Sequence, residues 1–233
     1  CGGDHQSLLC DHRPTSSSPP ANSGTNTAVT LVCSDSSPPS TASFGKTLLV
    51  EVSAPAKSTN MVRCYAILDD QSTSTFGDPS LFAALHPDAP TVSYAIKTLA
   101  GLHTDHAGQL SSDFVVRGVR ETETFSLPNV LGASLIPDTS HEAASPCQVA
   151  KIEHLSHLAS LFPEPDPSAR VLLLIGRDAG EVLSSIQQGH RFPFAHHTAL
   201  GWAVVGGDAD GVPSDDPSTL SASVMRVGLV ESL

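Results

Sequence analysis

Four short runs rich in β-branched and aliphatic residues follow one another through the middle of the chain: TLLVEV (Thr47 to Val52), MVRCYAIL (Met61 to Leu68), TVSYAIKT (Thr91 to Thr98) and DFVVRGV (Asp113 to Val119). Each has the length of a strand, and Gly, Pro, Asn or Asp separates most of them, which is the signature of a mainly β fold. Helical signals are few. Asp78 reads as an N-cap with Pro79 at the first helical position, opening a helix through Leu85. Val149, Ile152, Leu155, Leu158 and Leu161 mark a second helix that stops at Pro163, and a third, short one follows Asp178.

Composition narrows the class. The chain has 233 residues, of which 39% are hydrophobic and 15% charged, enough for one large domain or two small ones with a sizeable core. Twelve basic against twenty-four acidic residues give a formal charge of -12, which opposes extended contact with a nucleic-acid backbone. No apolar run reaches the roughly 20 residues of a membrane helix, and no signal peptide opens the sequence, so a cytoplasmic protein with no membrane partner is the default expectation. Five cysteines at irregular spacing suggest no disulfide framework. A start on Cys rather than Met reads as a fragment.

Residues 14–43 are rich in Ser, Thr, Pro and Asn and read as a linker, interrupted by one strand-like run at Thr27 to Cys33. The folded body starts near Phe44. In front of the linker, residues 1–13 offer Cys1, His5 and Cys10, ligand types that suit tetrahedral zinc. Three ligands do not close a structural site. An upstream Cys would complete a zinc knuckle of the kind that binds single-stranded nucleic acid, so zinc and nucleic acid enter only through such a completed knuckle.

The segment richest in chemistry is Cys64 to Phe76, CYAILDDQSTSTF, where an apolar strand runs into two carboxylates and a cluster of hydroxyls. A carboxylate at the end of a buried strand can be tuned by its surroundings, and if a second copy faces it the two hold one shared proton. One then acts as general base on a water while the other hydrogen-bonds the scissile carbonyl, hydrolysing a peptide bond with no cofactor. The plain alternative is a strand end capped by an Asx turn, with Asp69 or Asp70 accepting backbone N–H bonds from the Ser and Thr that follow.

Ala66-Ile67-Leu68-Asp69-Asp70-Gln71-Ser72 resembles the apolar-apolar-Asp-Ser/Thr-Gly-Ser/Ala signature of retropepsin-like aspartic proteases, in particular the peptidase domain of BEL/Pao-type LTR retrotransposon polyproteins. The likeness continues through Ser112 to Pro137, VLLLIGRD (Val171 to Asp178) and HHTALGWAVVGG (His196 to Gly207), together about two thirds of the chain. It implies an acid-protease β-barrel over residues 44–190, followed by a post-protease segment at 191–233 with a strand and an acidic loop. Asp69 would be the catalytic carboxylate, with Asp70 as its alternative. Ser72 would hydrogen-bond back to Asp69, while Gln71 stands where the family has Gly. Gly176 would permit the sharp entry into a helix carrying Asp178 near its start, and Arg177 would pack beneath the catalytic loop and brace it.

The motif occurs once. Asp138-Thr139-Ser140 is the nearest second string, but Pro137 breaks the strand that would deliver its carboxylate. Activity then requires a homodimer with the dyad on its two-fold axis, acting on a peptide or polyprotein substrate. A catalytically inactive structural or dimerising module is the other reading, and Gln71 separates the two. A serine hydrolase has less support, for no Gly-x-Ser-x-Gly elbow follows a strand. The pairs His103/His106 and His196/His197 read as loop histidines.

Overall fold

The computed structural model describes residues 43–98, 101–188, 191–207 and 228–230. The expected knuckle with Cys1, His5 and Cys10, the strand at 27–33, nearly all of the linker and the acidic loop after Gly207 lie outside them. Fourteen strands are described: β1 (Ser43–Phe44), β2 (Thr47–Ser53), β3 (Met61–Leu68), β4 (Thr75–Gly77), β5 (Thr91–Thr98), β6 (Gly101–Ser111), β7 (Val115–Gly118), β8 (Phe125–Ser126), β9 (Val130–Gly132), β10 (Val171–Ile175), β11 (Ser185–Gln188), β12 (Phe194–Thr198), β13 (Gly201–Gly207) and β14 (Gly228–Val230). Three short α-helices accompany them: α1 (Pro79–Leu85), α2 (Pro146–Lys151) and α3 (Gly180–Leu183). The fold is mainly β, as the strand runs require.

Ten strands form one curled sheet in the order β14-β5-β6-β9-β4-β10-β3-β2-β7-β8. The other four form a second sheet, β1-β13-β12-β11, so the expected boundary at residue 190 falls inside a sheet that joins residues from both sides of it. The centre of the large sheet positions the site. There β10 runs parallel to β3 and antiparallel to β4, while β4 runs parallel to β9.

Alternation along β3 sorts its side chains between two apolar layers. Cys64, Ala66 and Leu68 enter the main core with Leu48, Val50, Phe82, Phe114, Leu173 and Ile175. Tyr65 and Ile67 face the other way, Tyr65 with Leu49 and Val171, and Ile67 also against Phe76, Ile96, Leu131 and Leu174. Because both faces of β10 are covered, it reads as a continuous apolar run, and all five of its residues are buried. Burying each Leu or Phe side chain contributes about 1.5–3 kcal/mol relative to exposure.

α1 begins as its sequence requires. The Asp78 carboxylate accepts the Ser80 N–H at 2.9 Å, Pro79 occupies the first turn, and Leu81, Phe82 and Leu85 are buried. The second expected helix is two elements. α2, held by a Ser145/Gln148 capping box, ends at Ile152, whose ψ of 104° is extended. A 3-10 helix, Glu153–Leu161, takes over. The apolar residues that suggested one helix recur at every third position, and a repeat of three keeps them on one line only in a helix with three residues per turn. Leu155 and Leu158, with Val149, Phe44, Phe162, Ala195 and Val204, form a separate core against the small sheet.

Two smaller expectations are corrected. His103, His106, His196 and His197 lie on strands β6 and β12, not in loops. His106 stacks on Tyr94 at 5.5 Å and His197 on Trp202 at 4.7 Å, so aromatic packing accounts for both. Cys147 is disulfide-bonded, a pairing that the irregular cysteine spacing does not suggest. No helix among the described residues is long and apolar enough to cross a membrane.

Candidate active site

Asp69 is the first residue beyond β3, and the loop it opens lies across the end of β10. Parallel strands finish at the same end of a sheet, so the chain leaving β3 and the chain leaving β10 meet there. Two backbone bonds tie them: the Asp69 N–H donates to the Ile175 C=O, and the Arg177 N–H to the Ser72 C=O, each at 3.0 Å. Residues more than 100 positions apart are thereby fixed against each other.

Within the loop the Asp69 Oδ1 accepts the Gln71 N–H at 2.8 Å, closing an Asx turn. The Gln71 side-chain amide donates to the Asp70 Oδ1 at 3.0 Å. Asp69 is half-buried, whereas Asp70 and Gln71 are exposed. Asp69 continues the alternation of Tyr65 and Ile67, which places it on the side of β3 away from the main core. The Asx turn that the sequence offers as the plain alternative is present at Asp69, and it uses one oxygen of the carboxylate.

Ser72 departs from expectation. Its hydroxyl is fully buried and donates to the Ser74 C=O at 2.7 Å instead of to the Asp69 carboxylate. The chain has already turned by Ser72, whose N–H points back to the Asp69 C=O at 3.3 Å. The hydroxyl shapes the loop and has no contact with the acid.

Beneath the loop lies a network that the sequence did not suggest. Thr75 is fully buried, and its N–H and Oγ1 both donate to the Asp178 carboxylate, at 3.0 and 2.7 Å. The same Oγ1 accepts the Gly176 N–H at 3.1 Å. Asp178, not Arg177, is the brace. Arg177 is exposed and contributes only its backbone amide. Gly176 starts a 3-10 turn over Arg177–Ala179, where successive side chains diverge by about 120°, so only one of the pair can face the loop. Two donors from Thr75 need an acceptor, which a guanidinium lacks. Gly176 is required by close approach: a Cβ there would stand 2.3 Å from the Ser74 carbonyl oxygen and 2.8 Å from its nitrogen.

Asp138, the rejected second string, lies in the loop before a 3-10 helix over Ser140–Glu142. Hydrogen bonds from the Ser140 hydroxyl and N–H, the first at 2.7 Å, hold its carboxyl below the usual carboxylate range. These bonds make it a local turn. A grouping that the sequence did not reveal is Ser111, His86 and Asp113. The buried His86 places its Nδ1 2.8 Å from the Ser111 Oγ and 3.6 Å from the Asp113 carboxylate. Both partners approach the same ring nitrogen, so this is not a relay in which base and orienting acid use opposite edges of the imidazole. Among the described residues, no cluster of three or more His, Cys, Asp or Glu is placed to hold a metal ion.

No protein-family model matches the chain, and a search of curated proteins also returns no match.

Proposed function

We propose that the chain is a retropepsin-like aspartic endopeptidase that works as a homodimer, with one Asp69 from each protomer sharing a proton across the two-fold axis. The observation that carries this reading is the junction of the two motifs. Leu68 to Ser72 and Ile175 to Asp178, far apart in sequence, meet as one hydrogen-bonded loop over a glycine, with Asp69 at the end of a buried strand. Such a site holds a carboxylate still without consuming both its oxygens. In the dimer one Asp69 takes a proton from the attacking water while the other, protonated, hydrogen-bonds the peptide carbonyl. The tetrahedral adduct collapses with cleavage of the C–N bond and transfer of a proton to the leaving amine.

The second reading, an inactive module of the same architecture, is favoured by Gln71. Its Cβ stands where the resembled family has none, and its side chain engages Asp70. One experiment separates them. The full chain is assayed for cleavage of a mixed peptide library between about pH 4 and 7, the range for a carboxylate pair holding one proton, while its association state is followed by sedimentation. Cleavage should rise with dimer and vanish in Asp69→Asn, whose amide oxygen still accepts the Gln71 N–H and so keeps the loop. Asp70→Ser and Gln71→Gly should preserve or raise it. Undiminished cleavage by Asp69→Asn, or none by the dimeric parent and the Asp70→Ser/Gln71→Gly double variant, refutes the peptidase reading.

A further inference from the structure

The large sheet parts at β6. Of the eleven residues of this strand only Leu110 and Ser111 pair with β9, its neighbour on the side away from β5. The Leu110 N–H donates to the Pro90 C=O, on the β5 side. Amides along an antiparallel strand alternate between its two edges, so Ala107 and Gln109 turn theirs away from β5. The contacts at Gln109 agree: a Cβ on Gly132 would stand 2.9 Å from the Gln109 nitrogen and 3.3 Å from its oxygen. β9 ends at Gly132, so Ala107 lies beyond it, and among the described residues its N–H and C=O have no main-chain partner on that edge.

Where the strands part there is a recess of about 430 Å³, a volume within the range of ligand sites. Residues 106–109 form one side of it and residues 132–135 the other. Its two sides are fixed to each other. Tyr94, opposite His106 and stacked on it at 5.5 Å, donates its hydroxyl to the Gly132 C=O at 3.0 Å. Gly108 leaves room for that crossing, since a Cβ there would meet the Tyr94 ring at 3.2 Å and the Gly132 oxygen at 1.9 Å. Leu135, in the lining, is 56% exposed. Although the chain carries a formal charge of -12, no Asp, Glu, Lys or Arg lines the recess among the described residues.

We propose that this recess binds an extended peptide segment with uncharged side chains, which adds to β6 as a short strand at Ala107 and covers Leu135. A free N–H and C=O on one residue of a strand are matched by the main chain of a second strand, which supplies the affinity, while the surrounding pockets select side chains. A charged side chain would leave water here without a counter-ion, so the lining selects neutral ones. Residues 106–109 span about 13 Å, so the ligand engages three or four residues. No residue of the Asp69 loop enters this site, and it stands apart from the peptidase reading.

The test uses the full chain carrying Asp69→Asn, so that binding is read without cleavage. The probe is a labelled, end-blocked peptide AVTLV, the uncharged run at residues 28–32, followed by fluorescence anisotropy and by the amide shifts of Ala107, Ser134 and Leu135. Adding Ala107→Pro removes an N–H that faces away from β5, a change an open strand edge tolerates. It should weaken binding about tenfold, the effect of one lost main-chain bond and its stranded partner. The same peptide N-methylated throughout keeps its side chains, loses its donors and should not bind. Three results overturn the proposal: no binding by the Ala107 parent at about 1 mM peptide, undiminished binding by Ala107→Pro, or equal binding of the N-methylated peptide.

Discussion

Replacing Gly176 by Ala is the sharpest probe of how the candidate loop is held. The backbone at Gly176 is extended, with φ of -98° and ψ of -175°, so alanine meets no conformational barrier and the entire effect is steric. The new Cβ would stand 2.3, 2.6 and 2.8 Å from the oxygen, carbonyl carbon and nitrogen of Ser74. These are main-chain atoms of a buried residue and cannot swing aside, so loop and β10 turn must separate by about 1 Å to reach ordinary contact distance. Overpacking of this kind costs roughly 1–3 kcal/mol, which lowers the melting temperature of a domain this size by about 2–12 °C. The separation also stretches the bonds from Gly176 N–H to Thr75 and from Arg177 N–H to Ser72, so any cleavage activity should fall further than stability does. Gly180→Ala is the internal control. It lies four residues on, in helical conformation, with nothing within 4 Å of its Cβ. It should be neutral or stabilising by about 0.4–1 kcal/mol, through the unfolded chain's lost freedom. Thermal unfolding followed by circular dichroism compares the two. Equal melting temperatures for Gly176→Ala and Gly180→Ala would refute the packing of the loop on the β10 turn.

Other expectations follow from the same geometry. Thr75→Val keeps the shape but leaves the buried Gly176 N–H without an acceptor and strips two-point contact from Asp178; urea denaturation should show a loss of about 1–3 kcal/mol, and Thr75→Ser a smaller one. The Cys64 thiol is pushed up to about 12 by burial, against a Leu172 backbone bond that lowers it. It should resist iodoacetamide at pH 8 until the chain unfolds, as read by peptide mapping. Its folded value exceeds the ordinary 9.0, so its contribution is present below pH 9 and stability should decline as pH rises from there toward 12. His196 is shifted the other way, below 6.5, first by burial and then by Lys46. Its neutral form is favoured in the folded state, so its contribution is present above pH 6.5 and lost as pH falls through that value. Melting temperatures between pH 7.5 and 5 should drop less steeply for His196→Gln than for the parent, and parallel slopes would count against the assignment.

The parts of this fold that were legible in the sequence are those whose cause is local. The runs at Thr47, Met61, Thr91 and Asp113 all produce strands, and Asp78-Pro79 starts a helix because capping depends on neighbours alone. Spacing was read with the wrong period between Val149 and Leu161, where repeats of three fit both a loosely patterned α-helix and the 3-10 helix that forms. The histidines on β6 and β12 were misplaced because strands that carry several polar residues resemble loop composition. At the site, the Asp69 turn was foreseeable, but its support was not. Nothing near Thr75 announces that its hydroxyl will meet a carboxylate 103 positions later, and the choice between Arg177 and Asp178 rests on a turn whose orientation depends on that meeting. Parallel pairing of β3 with β10 lies behind both, and parallel partners leave no turn signal between them to read.

That pairing also sets the order in which the molecule can be made. A chain emerging from the ribosome completes β2 and β3 early, since they are hairpin neighbours joined by a short turn. The loop after Asp69, however, has no ceiling until Ile175, Gly176 and Asp178 arrive, and closing so long a stretch of chain is entropically slow. Until then Leu68 and the apolar face of β3 stand open, and the nascent chain depends on staying clear of its neighbours. If Asp69 is the catalytic acid of the peptidase proposed above, it gains its supporting geometry only when the last central strand is inserted, and the half-made protein carries the acid without that support.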